Sequence, residues 1–278
     1  MKNLKLIQEK VRQATATASF QLPKDVAELL KRGYRLAKDK RARLALGWII
    51  ENAKIARKEK LALCQDTGLP VIFIEAGRDI RLSFDLIDTI KRTVENSYKG
   101  NYLRNSLVDP LSRVKPGYQG AVTHLEFNSK IKGLRVTLFP KGFGSENKTK
   151  LKMFNPTVRI RDIENFIIDS VLDAGPEACP PFILGIGIGG TSDYALLLAK
   201  KALLEDITKP NKDTSLARLE RRLLKRINSL NIGPMGFGGN ATALAVKIRK
   251  SPTHIAGLPI AVNISCWALR RATVEFKS

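Results

Sequence analysis

Through the first 60 positions apolar residues recur three and four apart, the period of an amphipathic helix. Residues 25–36 carry Val26, Leu29, Leu30 and Tyr34 on that spacing, and residues 42–55 repeat it with Leu44, Leu46, Trp48 and Ile49. The run 69–74 is short, apolar and rich in β-branched residues, which predicts a buried strand. Ser83 stands where a helix over 84–98 needs its N-cap. Alternating stretches at 122–127 and 134–139 predict two strands, and the polar turn between them predicts a hairpin. Further helices are expected at 163–174, stopped by Gly175-Pro176, at 193–204 and at 215–230; strands are expected at 182–188, 241–248 and 260–264. With no repeat, low-complexity segment or linker in view, the pattern predicts a single α+β domain over residues 1–278, its helices packed around mixed or antiparallel sheet.

Composition adds little to this picture. Hydrophobic residues at 44% and charged residues at 27% are ordinary for a folded chain, and no apolar run reaches the ~18 residues that would cross a membrane. Met1 to Ile7 has charge but no apolar h-region behind it, so no secretory signal is expected. Three cysteines cannot all pair internally, which fits a reducing cytoplasm.

The net charge of +22 is extreme. It raises nucleic acid, an acidic membrane, an acidic protein partner and anionic substrates as possibilities. The Lys and Arg residues are scattered, however, and aromatics make up only 6% with no basic–aromatic interleaving. A base-stacking platform is therefore not expected. The charge reads as a solvated basic surface, with attraction of dianionic substrates or an acidic partner subunit as functional alternatives.

Candidate chemistry starts with Cys64, Cys179 and Cys266. Free cysteine usually behaves as a small buried hydrophobe, and no CxxC spacing is present. The flanks point the other way. Cys64 opens Cys64-Gln65-Asp66-Thr67-Gly68, Cys179 precedes Pro180-Pro181, and Cys266 follows Asn263-Ile264-Ser265. Three thiolates are one short of the four that close an ordinary iron–sulfur cluster, and an open metal position is what Lewis-acid catalysis needs.

Asp66 is a candidate acid or base beside Cys64, although Asp-Thr-Gly is also a common turn sequence. Three glycine clusters follow, at 142–144, 187–190 and 236–239. Such clusters let backbone N–H groups approach an anion, and together they suggest one crowded site. The first, with Lys141, lacks both the Walker ending and the Gly-x-Gly-x-x-Gly fingerprint, so a carboxylate suits it better than a nucleotide. Arg104 can fork onto a carboxylate or be one more surface charge. Of the two histidines, His124 lies in an alternating strand, while His254 in Pro252-Thr253-His254 can bind a carboxylate or shuttle a proton.

Taken in order, Cys64-Gln65-Asp66-Thr67-Gly68, Leu103-Arg104-Asn105-Ser106, Lys141-Gly142-Phe143-Gly144-Ser145-Glu146-Asn147, Cys179-Pro180-Pro181 with Gly189-Gly190-Thr191-Ser192, Pro252-Thr253-His254 and Cys266 resemble the class I fumarase and L-tartrate dehydratase family. The likeness is to its α subunit, or to the N-terminal domain of the single-chain form, and covers most of the chain. The resemblance implies a 4Fe–4S cluster with one open iron, held by Cys64, Cys179 and Cys266. It implies substrate contacts at Gln65, Arg104, Gly144 and His254, with Asp66 placed for proton transfer. The implied reaction is reversible hydration of a C4 dicarboxylate, fumarate to L-malate first, with L-tartrate or methylfumarate as alternatives. Phe143, where many relatives carry glycine, and Trp267 after Cys266 depart from the pattern and bear on pocket shape.

The family's further substrate-binding residues fall beyond Ser278. A separate β subunit is therefore expected, in a heterotetramer, with this chain inactive or nearly so alone. No membrane and no nucleic acid are expected as partners. A basic nucleic-acid-binding or scaffold protein that has kept the fold is the non-enzyme alternative, and steep salt dependence of RNA binding would mark it.

Overall fold

The computed structural model describes residues 4–80 and 82–277; Met1, Lys2 and Asn3, on which the reading of the N-terminus partly rests, lie outside them. The chain gathers into two compact units and passes between them four times. One unit holds Met1–Pro23, Ala53–Gly142 and Arg270–Ser278; the other holds Lys24–Asn52 and Phe143–Leu269. Each has its own four-stranded sheet, and the α+β class expected from the sequence holds in both.

The first unit contains β1 (Leu69–Ala76), β2 (Val122–Phe127), β3 (Leu134–Lys141) and β8 (Ala272–Phe276), in the order β2-β1-β3-β8, with helices α1 (Leu4–Phe20) and α4 (Phe84–Gly100). Ser83 caps α4 by accepting the Leu86 N–H, as its position predicts. The core joins Ile7 and Val11 of α1 and Ile90 and Val94 of α4 to Ile72, Ile74, Val136 and Leu138 of the sheet.

The expected hairpin does not form. β1 lies between the two alternating strands, parallel to β2 (Val71 opposite Val122) and antiparallel to β3 (Ile72 opposite Leu138). The reason is burial. β1 is the most apolar of the three and gains a partner on each edge, while β2 is left at the rim with Val122, Leu125 and Phe127 exposed and none of its residues fully buried. The 128–133 connection closes over the end of β1: the Asn128 N–H donates to Ala76 O, and the Gly77 N–H to Gly133 O.

The second unit contains β4 (Lys150–Phe154), β5 (Phe182–Ile188), β6 (Ala243–Lys250) and β7 (Leu258–Ser265), in the order β4-β7-β5-β6. Helices α2 (Lys24–Leu36), α6 (Ile160–Ala174), α7 (Ser192–Ala202) and α8 (Thr214–Asn228) belong to it, with the four-residue α5 (Phe143–Glu146); α3 (Lys40–Glu59) carries one of the passages between units. Successive side chains of β5 face opposite sides. Phe182, Leu184 and Ile186 join Ile167 and Val171 of α6 and Leu219 and Leu223 of α8 in one core.

On the other face Gly185 and Gly187 let α7 lie directly on the strand. A Cβ at Gly187 would come within 1.9 Å of Ala195 O, and one at Gly185 within 2.0 Å of Ala199 O. The register of this sheet has one consequence for the site. β5 and β7 run antiparallel with Ile183 opposite Ser265 and Ile188 opposite Ile260, and β6 runs parallel to β5 with Lys250 opposite Ile188. The start of β5 and the end of β7 therefore share one end of the sheet, and the β6–β7 loop lies at the other.

Candidate functional site

In the first unit the Cys64–Gly68 segment is a turn pinned from several directions. Leu63, fully buried, donates its N–H to Ser19 O at the end of α1 and so fixes where Cys64 begins. Three successive carbonyls of the turn then take one donor each. Gln65 O accepts from Arg104 Nη1 at 3.4 Å, Asp66 O from Arg270 Nη2 at 2.8 Å, and Thr67 O from the Tyr98 hydroxyl at 3.3 Å. Thr67 Oγ1 also accepts the Arg104 N–H at 3.2 Å. Arg104 is thereby tied to the same turn by backbone and side chain, which leaves its guanidinium exposed beside Gln65.

Asp66 is half-buried. Its Oδ1 accepts the Gly68 N–H at 2.9 Å, the turn role that Asp-Thr-Gly predicts. Gly68 has φ +79°, and a Cβ there would sit 2.8 Å from the Pro140 carbonyl carbon, so the turn is open only to glycine. The other carboxylate oxygen faces Gly142: a Cβ at that residue would lie 3.2 Å from Asp66 Oδ2 and 3.7 Å from Arg270 Nη2. Burial pushes the Tyr98 hydroxyl well above its ordinary value; the Arg270 cation opposes this and the Asp66 charge adds to it. Tyr98 therefore stays protonated and remains a donor to Thr67 O.

Arg270 is 2% exposed. A buried guanidinium is costly unless well partnered, and its bond to Asp66 O ties the C-terminal segment to the turn. Arg270→Met is expected to lower unfolding free energy by about 2 kcal/mol, the scale of a hydrogen bond to a charged group. Denaturant titration of the variant beside the wild type checks it.

In the second unit Cys179 and Cys266 come together at one end of the sheet. Cys179 lies four residues before Ile183 and Cys266 directly follows Ser265, the residue opposite Ile183. The Trp267 N–H donates to Cys179 O at 3.3 Å. Cys179 adopts φ 55°, ψ 68°, left-handed backbone that a non-glycine residue rarely takes. It is reached through a 3-10 turn over Gly175–Ala178 and is followed by a cis Pro180-Pro181 bond. Met235, also at positive φ, donates its N–H to Pro180 O at 2.9 Å.

Gly144, in α5, belongs to the same end, since Lys150 just beyond it pairs with Val262; a Cβ at Gly144 would lie 3.8 Å from Glu177 O. Glu146 locks this loop down. It takes Lys200 Nζ of α7 on one oxygen and Asn263 Nδ2 of β7 on the other at 2.9 Å, while Asn263 also reaches Thr149 Oγ1 at 2.8 Å.

His254 lies elsewhere. It sits in the β6–β7 loop, at the opposite end of the sheet from Cys179 and Cys266, together with Gly189-Gly190. The three glycine clusters therefore do not form a single crowded site. Gly144 and the 236–239 cluster stand at the cysteine end of the second unit, Gly142 stands beside Asp66 in the first unit, and Gly189-Gly190 stands with His254.

The three cysteines form no disulfide and are of intermediate exposure, a donor set that suits iron–sulfur ligation. Among the described residues no group of three or more His, Cys, Asp or Glu is gathered to hold a metal ion. Two of the three thiols share a sheet end, and Cys64 belongs to the other unit.

Several residues that build these segments were not singled out from sequence. Tyr98 and Thr67 serve through a hydroxyl and a carbonyl. Glu146 was visible in its motif without a role. Arg270 is one of 48 basic residues, and no local signal separates it from the rest.

Comparison with known proteins bears on what this arrangement is. A family model described as fumarate hydratase (Fumerase) matches residues 8–275. The Methanocaldococcus jannaschii protein named putative L(+)-tartrate dehydratase subunit alpha is 42% identical over 267 residues, covering 94% of each chain. A Geobacillus stearothermophilus protein named putative fumarate hydratase class I is 32% identical over 279 residues; the match takes in 96% of this chain and 54% of that one. The Escherichia coli K12 protein named L(+)-tartrate dehydratase subunit alpha is 27% identical over 270 residues, 96% of this chain and 89% of its own. These likenesses define an enzyme of the hydro-lyase class. The chain belongs to the fumarate hydratase (Fumerase) family, in the branch whose members include α subunits.

Proposed function

We propose that the chain is the α subunit of an iron–sulfur hydro-lyase that reversibly hydrates a C4 dicarboxylate, fumarate to L-malate. The carrying observation is the pinned turn that sets the Asp66 carboxylate two residues from a free, half-buried cysteine. Cys64, Cys179 and Cys266 would hold a 4Fe–4S cluster, and residues 1–278 serve as one α-subunit domain. When bound, such a cluster supplies a Lewis acid that polarises the substrate's oxygen atoms.

The chain's own residues do the rest. Hydration adds a hydroxyl to one alkene carbon and a proton to its neighbour; dehydration removes that proton from a carbon α to a carboxylate. Asp66 moves this proton from the turn that the Gly68 N–H helps to fix. Arg104 and Gln65 present a guanidinium and an amide at the exposed side of the turn, suited to a substrate carboxylate. Gly144 lets backbone approach the substrate closely, with Glu146 holding that loop still. His254 is the remaining carboxylate contact of this reading, and it stands at the other end of its sheet from Cys179 and Cys266.

A separate β subunit, in a heterotetramer, completes the site. Support comes from the relatives named as α subunits and from the longer relative that this chain matches over about half its length. A cytoplasmic location belongs to this reading; no helix among the described residues is long and apolar enough to cross a membrane. A second substrate reading, L-tartrate, is favoured by the names of the two α-subunit relatives.

The test is anaerobic co-expression with the candidate β subunit and assay of fumarate, L-malate, L-tartrate and methylfumarate. Turnover by the complex, with little by the chain alone, is the expected result. Full-rate turnover by the isolated chain would sink the need for a partner. Absence of dicarboxylate turnover, together with tight, salt-sensitive RNA binding, would replace the enzyme reading with the nucleic-acid one.

A further inference from the structure

Residues 103–118 leave the core of the first unit at Leu103 and return to it at Tyr118 as one closed loop. At the base the Tyr118 hydroxyl donates to Leu103 O at 3.1 Å, and the buried Leu103 donates its own N–H to Tyr98 O at 3.0 Å. The tip is built around a single carboxylate. Asp109 Oδ1 accepts the Leu111 N–H at 3.0 Å, the Ser112 N–H at 2.7 Å and the Ser112 hydroxyl at 2.9 Å. The Asp109 N–H donates to Val114 O at 2.8 Å, and the Arg113 N–H donates back to Asp109 O at 3.0 Å. Led by the Ser112 N–H, these bonds hold the Asp109 carboxyl below the usual carboxylate range, so it stays an ionised acceptor at neutral pH. Compact loops whose ends meet in this way are frequently functional.

What the tip displays is apolar. Leu111 is 92% and Val114 66% exposed, and Tyr102, just before the base, is 95% exposed. Around them stand Arg104, Arg113 and Lys115, all exposed. The one acidic residue of the loop, Asp109, is engaged by the tip's own N–H and hydroxyl groups.

We infer that the 103–118 loop is the docking tip for the β subunit, whose receiving surface carries an apolar recess for Leu111 and Val114 and an acidic rim facing Arg113 and Lys115. The inference rests on the functional reading above, in which a β subunit completes the site. Three observations select this occupant. Arg104, at the start of the loop, is bonded to the turn that carries Asp66, so a partner supplying the rest of that site comes to this side of the first unit. The exposed aliphatic pair selects a protein over a nucleic acid, which would meet the cations and gain nothing from Leu111. The cations select an acidic surface over a second copy of this chain, whose net charge is +22. A preformed tip also loses little conformational freedom on binding.

Titration of the anaerobically prepared α chain with the candidate β subunit tests this, with Leu111→Asp and Lys115→Glu beside the wild type. Leu111 faces solvent, so the Leu111→Asp chain should unfold at the wild-type denaturant concentration. Its Kd for β should rise about tenfold or more, as for an anchor residue at an interface. Lys115→Glu should slow association and weaken its dependence on salt. At saturating β the Leu111→Asp complex should regain the wild-type kcat, because this side chain meets β and not the substrate. Amide exchange over residues 105–115 of the wild type should slow when β is added.

Wild-type affinity in Leu111→Asp, or unchanged exchange with β bound, overturns the docking assignment and leaves the hydro-lyase reading standing. Wild-type affinity with a lowered kcat also overturns it, by making Leu111 part of the reaction site. If Leu111→Asp separates α copies while β stays attached at full strength, the occupant is a second copy and the assignment fails. A wild-type chain that binds no β sinks the docking tip and the partnered reading together.

Discussion

A chain with Cys179 replaced by glycine is expected to bind neither iron nor sulfide and to lose all detectable turnover, while unfolding at nearly the wild-type denaturant concentration. The substitution is chosen for the backbone. Cys179 sits at φ 55°, a conformation that costs an ordinary residue about 1 kcal/mol or more and costs glycine nothing. The thiol is thus removed and local strain relieved together, which offsets the loss of a half-buried side chain. Two remaining cysteines, Cys64 and Cys266, do not suffice to hold a cubane cluster. The wild-type chain, purified without oxygen and reconstituted, should carry about four irons and four sulfides. Retention of both in the glycine variant would return the cysteines to a packing role.

Asp66→Asn is expected to lower kcat by about 10²–10⁴, the usual contribution of a positioned acid or base, with iron and sulfide content unchanged. Asparagine keeps an Oδ1 to accept the Gly68 N–H, and the bonds from Arg270 and Tyr98 go to backbone carbonyls that the substitution does not alter. The turn therefore survives and only the transferable proton is lost. Gly142, which has no Cβ, leaves space beside the carboxylate for the amide; a Cβ there would lie 3.2 Å from Asp66 Oδ2. A fall in kcat of less than about tenfold would remove Asp66 from proton transfer and leave it as a turn residue.

Most helices and strands were legible because their apolar spacing is strong. Ser83, Gly175-Pro176 and the β5 run mark boundaries that the structure keeps within a few residues. Missed elements are short and polar. β4 is a lysine-bearing edge strand with four of its five residues exposed, and β8 alternates over only five residues. Pairing was less legible than existence. The turn at 128–133 looks like a hairpin connection from either strand alone, and only the greater apolarity of β1 explains why it inserts between them.

The division into two units left no linker to see, because the chain passes between them repeatedly and once inside α3. At the site the motifs gave the residue types. The separation of His254 from Cys179 and Cys266 required the strand directions, which local sequence does not encode. Arg270 was invisible for a different reason: its importance comes from burial 204 residues away from its partner.

That bond sets an order of events on the ribosome. The turn bearing Cys64 and Asp66 emerges early, yet its central carbonyl waits for residue 270, and β3 waits for β8. At the usual 5–20 residues per second, the interval is on the order of 10–40 s. For that time a nascent chain has Cys64, and from midway Cys179 as well, in an unfinished fold with an open sheet edge. Until residue 270 arrives the first unit stays unfinished, and the closing arginine completes it.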